Sequence, residues 1–180
     1  MNATRIRVRL VSALALVLAL VGTGTVVAQH AVRAVVQPAS ERKAAPPLAL
    51  KDSSGKTISL TDYRGKVVLL DFWATWCTGC KMEIPWFSES QKAYGAQGFA
   101  VVGVSMDEGG WSVVKPFLAE AHVPYPVLLG DDPTAQRFGI QSLPDTFLID
   151  RQGRIAATYR AGLVDKNDVE ANIKALLSQR

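Results

Sequence analysis

The sequence predicts an α/β fold built on a mixed, mostly parallel central sheet. Two observations lead there. Short and almost uninterrupted apolar runs, Lys66–Trp73 and Phe99–Ser105, alternate with helical patterns. Such runs are typical of strands covered on both faces and joined by crossover helices. The last two strand-like stretches, Thr146–Ile149 and Ile155–Tyr159, flank the turn Asp150-Arg151-Gln152-Gly153. That turn makes them a hairpin and adds an antiparallel edge.

The 180 residues, 48% apolar, suit one packed domain and a targeting segment. Residues 1–9 carry Arg5, Arg7 and Arg9, and an uncharged run from Leu10 to Ala28 follows. Basic, apolar and then small residues make a secretory signal with a cleavage site after Ala28. The same run is also long enough to be an uncleaved membrane anchor. Both readings export the rest of the chain to the periplasm or another extracytoplasmic space. The formal charge of +4 owes much to those three arginines, and no basic stripe marks the body, so nucleic acid is not an expected partner. Residues 29–45 lack a period and read as a linker, with the apolar stretch Ala31–Val36 as the rival sign of an added helix. The domain is expected over 46–180.

Within the domain, Leu48–Lys51 and Thr57–Ser59 flank Ser53-Ser54-Gly55-Lys56 and read as a small N-terminal β-hairpin. Thr61–Gly65 is a turn closed by glycine. After the first long strand, Thr78–Tyr94 reads as a helix, with Pro85 inside it as a kink. Trp111–Ala121 is helical and Val127–Leu129 is a third strand. Pro133–Phe138 is a short helix ended by Gly139. Asp165–Leu177 is the last helix, with Asp165 as its N-cap.

The chain has two cysteines, Cys77 and Cys80, spaced as Cys-x-x-Cys. A structural zinc site needs about four ligands, and His30 and His122 are isolated, so no metal is expected. A disulfide framework needs more cysteines spread along the chain. The pair instead follows a buried strand and opens a helix. There the unsatisfied N–H groups and the positive end of the helix dipole stabilise a thiolate at Cys77. Cys80 lies one turn on, placed to resolve a mixed disulfide. This is the arrangement of a redox-active dithiol that needs no other cofactor.

Asp71-Phe72-Trp73-Ala74-Thr75-Trp76-Cys77-Thr78-Gly79-Cys80-Lys81 resembles the active-site segment of thioredoxins. Leu143-Pro144-Asp145-Thr146-Phe147 resembles their second signature, a loop with a cis-proline. The resemblance covers roughly residues 46–178. It is strongest to the exported TlpA/ResA-like branch, on the hairpin at 48–59, a mid-domain helix–strand insertion at 107–129, and Glu83. The resemblance implies a thioredoxin-like fold and a monomer. It implies reduction of disulfides in envelope proteins, apocytochrome c among them, with electrons from a membrane thiol-reducing protein. It places Pro144 against the sulfurs. It makes Leu143, Trp76, Thr78 and Gly79 the substrate-facing residues. Asp71 and Glu83 are two alternative buried acids to take the proton of Cys80, and having both departs from either pattern. One of the two is expected to be structural or solvent-facing, Glu83 being the less favoured as proton acceptor. Thr78-Gly79 in place of Gly-Pro leaves the potential open.

Two other functions are weighed. Peroxidases of the peroxiredoxin class share the fold but require Thr or Ser three residues before the reactive cysteine and Pro seven before it. Here those positions hold Ala74 and Leu70. A Cu(I)-binding assembly protein suits two thiolates but needs a third ligand, for which His122 is the only candidate in the body of the domain.

Overall fold

A computed structural model describes residues 31–160 and 162–179. The expected leader, 1–28, and His30 lie outside them. No helix among the described residues is long and apolar enough to cross a membrane.

The strands are β1 Ala49–Lys51, β2 Thr57–Ser59, β3 Val67–Trp73, β4 Phe99–Ser105, β5 Val127–Leu129, β6 Asp145–Ile149 and β7 Ile155–Arg160. The helices are α1 Thr78–Tyr94, α2 Trp111–Ala121, α3 Asp132–Phe138 and α4 Lys166–Leu177. Single 3₁₀ turns occupy Leu60–Tyr63 and Gly95–Gln97. The central sheet has the order β5-β4-β3-β6-β7. β3, β4 and β5 run parallel, whereas β6 and β7 are antiparallel to their neighbours. This is a thioredoxin-like fold with a mixed sheet, and β1–β2 forms a separate antiparallel pair.

Every residue of β3 and β4 is buried, because both faces of the sheet are covered. On one face, Val67, Leu69 and Trp73 join Val114 of α2, Ile84 and Phe87 of α1, and Val169, Ile173 and Leu176 of α4. On the other, Val68, Leu70 and Phe72 meet Phe138 of α3 and Leu50 and Ile58 of the hairpin. The pleat alternates sides residue by residue, so Asp71 shares the first face with Leu69 and Trp73. Pro85 lies on the exposed side of α1, where its missing N–H does not end the helix.

The linker expected at 29–45 is corrected in its described part. Residues 31–45 lie against the domain as two non-helical stretches joined by a turn at 39–41, neither as a tether nor as a helix. Val32 makes a parallel bridge with Val164, and Ala44 an antiparallel bridge with Arg154. Gln37 N–H donates to Ala156 O at 2.8 Å and Ile155 N–H to Lys43 O at 2.8 Å, at the open edge of β7. An unpaired strand edge is a row of free donors and acceptors, and this sheath pairs those of Ile155 and Ala156 at the start of β7. Val32, Ala34 and Val36 add apolar contact to the core.

The sheath is fastened by a buried charge cluster. Arg42 donates to Asp150 at 3.2 Å and to Gln37 O at 2.9 Å. Asp150 also accepts from Arg154 Nε at 2.8 Å and from the amides of Gln152 and Arg154. Burial alone pushes this carboxyl up, but the Arg154 amide and the two guanidiniums outweigh it and hold the group below its ordinary range. The Arg42 and Asp150 side chains are only 3% and 4% exposed, so removing one strands the other. Asp150→Ala is expected to cost about 3–5 kcal/mol of stability, read by urea denaturation at pH 7. A loss below about 1 kcal/mol would show that the cluster behaves as a solvated surface pair.

Candidate redox site

The site forms where β3 ends and α1 begins. Cys77 is the N-cap of α1, in extended conformation, and Cys80 lies in its first turn. The two sulfurs form a disulfide with Cα atoms 5.3 Å apart. Cys80 N–H donates to Cys77 Sγ at 3.2 Å. A backbone donor of the first helical turn therefore already points at that sulfur, and no acid in that turn opposes it. Both features favour negative charge on Cys77. Cys77 is 6% exposed and Cys80 0%, so an external partner meets Cys77 first.

The residues leading into the pair are held by a network that the sequence analysis did not identify. Thr75 N–H and Oγ1–H both donate to Asp107, the hydroxyl at 2.6 Å. Ser105 Oγ–H donates to the other oxygen of Asp107 at 2.8 Å. Met106 N–H returns to Trp73 O at 2.8 Å. The end of β4 thus clamps the end of β3. Polar Ser105 and Asp107 closing an apolar run are the only signal of it in the sequence.

The second loop arrives from the other side. The Leu143–Pro144 peptide bond is cis, as expected. Pro144 is buried and faces Gly79: a β-carbon at 79 would stand 3.5 Å from Pro144 Cδ. Leu143 is partly buried, Thr78 is exposed, and Trp76 is 68% exposed. An aromatic side chain so open beside Cys77 leaves a mixed polar and apolar rim around the accessible sulfur. The structure thus brings Trp76, Thr78, Gly79, Leu143 and Pro144 around the disulfide. His122 instead caps the far end of α2, with Nδ1 2.7 Å from Glu120 O.

Both acids lie in the core. Asp71 and Glu83 are each 0% exposed. Asp71 sits in the centre of β3, between Gly103 of β4 and Thr146 of β6 in register. It accepts one long bond, 3.3 Å, from Thr146 Oγ1. Glu83 lies on the buried stripe of α1 with Cys80, Ile84 and Phe87. Its Oε1 accepts from Val164 N–H at 2.7 Å. The second oxygen of each, Asp71 Oδ2 and Glu83 Oε2, is buried without a partner among the described residues. Of the expectation that one acid is structural or solvent-facing, the solvent-facing arm is therefore corrected: both carboxyls are buried.

A carboxylate with an unmet lone pair in a dry site is costly, so the proton is retained. Burial raises Asp71 to about 7, against the opposing hydrogen bond from Thr146. Burial raises Glu83 to about 8, and the charge of Asp71 adds to it. The two titrate as a coupled pair. Tyr125, 7% exposed on the same face, is pushed up by burial and then by both acids.

Fold and site together define a thiol–disulfide oxidoreductase: an exchangeable Cys-x-x-Cys pair at a helix N-terminus, apposed to a cis-proline loop. Comparison with known proteins agrees. The profile of the AhpC/TSA family matches residues 42–158, and the chain belongs to that family. It is 37% identical over 127 residues to the thiol-disulfide oxidoreductase ResA of Bacillus subtilis, covering 70% of each chain. It is 34% identical over 133 residues to ResA of Geobacillus thermodenitrificans, covering 73% of this chain and 75% of that one. Among solved structures, a candidate thiol:disulfide interchange protein DsbE from Chlorobium tepidum superposes with a TM-score of 0.72. That match is 35% identical and covers 76% of this chain and 97% of the other.

The buried acids have a consequence for stability. Unfolded, they ionise near pH 4; folded, at about 7 and 8. Their contribution is most favourable below about pH 4 and declines as pH rises through the folded values. Glu83→Gln removes its share of that decline. The variant should gain on the wild type between pH 5 and pH 9, by on the order of 4 kcal/mol. Urea midpoints of the oxidised proteins at both pH values check this. A constant difference between them would place the Glu83 carboxyl in contact with water.

Proposed function

We propose that this chain is an exported reductase of protein disulfides in the cell envelope, working by dithiol–disulfide exchange at Cys77 and Cys80. The observation that carries the direction is a pair of buried acids, Asp71 on the strand that leads to the cysteines and Glu83 one turn after Cys80 on the same stripe of α1. A dithiol becomes a strong oxidant when its reduced, thiolate form is especially stabilised. Here the helix N-terminus favours a Cys77 thiolate, but Asp71 and Glu83 set buried acids on the elements that position the pair. As they ionise they disfavour a second negative charge there. The reduced form gains no exceptional stability, and the disulfide forms readily as the end of the cycle.

The cycle balances as follows. Cys77 thiolate attacks a substrate disulfide, forming a mixed disulfide and releasing one substrate thiolate. The Cys80 thiol gives its proton to the Asp71–Glu83 pair in its ionised form. Cys80 sulfur then attacks Cys77 sulfur and expels the second substrate thiolate. The substrate has gained two electrons, and the chain carries the Cys77–Cys80 disulfide. A membrane thiol-reducing donor restores the dithiol. The basic-apolar-small leader supports an extracytoplasmic setting for both partners. Relatives named ResA support the exchange chemistry, and apocytochrome c is one substrate in keeping with the TlpA/ResA-like resemblance. The peroxidase alternative is not favoured, since Ala74 and Leu70 occupy the positions that chemistry requires.

The reduction potential tests the direction. Equilibration in thiol redox buffers, followed by Trp76 and Trp73 fluorescence, is expected to give a value near or below about −270 mV. A value near about −120 mV would make the chain an oxidant. In the same preparation, Cys80→Ser should accumulate mixed disulfides through Cys77, and Cys77→Ser should abolish turnover. Adducts formed through Cys80 instead would reverse the roles.

A further inference from the structure

Glu83 receives its hydrogen bond from a backbone amide 81 residues away in sequence, and that amide is itself held by the N-terminal sheath. Leu163 O accepts from Val32 N–H at 2.8 Å, and Asp165 N–H donates to Val32 O at 2.8 Å. In an extended segment, the polar groups of successive residues point to opposite sides. Residues 163 and 165 use theirs on Val32, so the N–H of the residue between them must point away from the sheath. That residue is Val164, 2% exposed, and its N–H ends on Glu83 Oε1 at 2.7 Å.

The attachment is reinforced from both sides. Arg33 pairs with Asp165 at 2.7 Å. Ala34 N–H donates to Asp168 at 3.1 Å, and Asn172 donates to Ala34 O at 2.8 Å. Gly162 permits the close approach, because a β-carbon there would stand 2.9 Å from Val32 Cγ2. We propose that residues 32–34 are a positioning element of the redox site: by pinning Leu163 and Asp165 they aim the Val164 amide at Glu83 and thereby set the pH at which that carboxyl gives up its proton. The proposal rests on the reading of Glu83 as a proton-handling group.

The titratable groups that act on or with Glu83 are Asp71 from β3 and Tyr125 from the segment before β5; Cys80, on the same buried stripe of α1, is held in the disulfide. The bond from Val164 favours the ionised carboxylate, against burial and against Asp71. Loosening the sheath weakens that bond and leaves the opposing influences in place, so Glu83 should titrate at higher pH.

The test uses the purified full chain with ¹³C-labelled Glu and Asp, whose carboxyl resonances are followed from pH 4 to 10 by NMR. Val32→Pro removes the N–H that holds Leu163. Gly162→Ala pushes Val32 away without altering a donor or acceptor, and serves if the first variant fails to fold. Either variant should move the Glu83 midpoint upward by about 0.5–1 unit, the worth of one ordinary hydrogen bond, and reduce protection of the Val164 amide from hydrogen exchange. A Glu83 midpoint unchanged in a folded variant whose Val164 amide has lost protection overturns the proposal. The carboxyl titration reads Glu83 whichever way electrons flow. Rates of disulfide exchange, measured separately on the same variants, bear on the proton-handling reading alone: a shifted midpoint without a shifted rate profile would refute that reading and leave the positioning intact.

Discussion

Burial of β3 on both faces is the constraint on which the rest of this structure depends. A strand covered on one side by α1, α2 and α4 and on the other by α3 and the hairpin must be apolar throughout. Asp71 breaks that rule at its centre. Its neighbours in register, Gly103 and Thr146, supply room and one weak donor rather than a counter-charge. The same strand delivers Trp73 into the core and releases Ala74–Cys77 at its end, directly onto the N-terminus of α1. Position of the sulfurs, dryness of the acid and direction of the helix dipole thus follow from one piece of packing.

Gly103 shows how tightly that packing is drawn. A β-carbon there would stand 3.0 Å from Trp73 Nε1 and 3.2 Å from Val127 Cγ2. Trp73, packed at a tilt against Phe117 with 5.2 Å between ring centroids, lies in the same buried cluster as Tyr125. Water is kept from the carboxyls by these aromatic groups as much as by aliphatic ones, and exclusion of water is what keeps a proton on Asp71 and Glu83 near neutral pH.

Much of this was legible in the sequence because it rests on local pattern. The long strands, the helices and the turn at Asp150–Gly153 fall where apolar period, glycine and capping residues place them, and Cys77 is an N-cap by position alone. The burial of Glu83 was also signalled: residues 80, 83, 84 and 87 form one helical stripe, and three of them are apolar or cysteine. What escaped was non-local. The 31–45 sheath has too short and irregular an apolar pattern to declare a partner, and its partner is a strand edge more than a hundred residues on. The Thr75–Asp107–Ser105 clamp and the Val164–Glu83 bond join residues whose types carry no mark of each other, one of them through a backbone amide that any residue would supply.

The central claim is that the buried acids accept the proton of Cys80 when the mixed disulfide resolves. Stopped-flow measurement of that step, from pH 5 to 9, tests it most directly in wild type, Asp71→Asn and Glu83→Gln. The account predicts a wild-type rate that rises through the pH range in which the coupled acids ionise, at about 7 to 8, and a slower, displaced profile in the variants. Profiles of unchanged shape in both variants would contradict it, and would leave solvent as the acceptor.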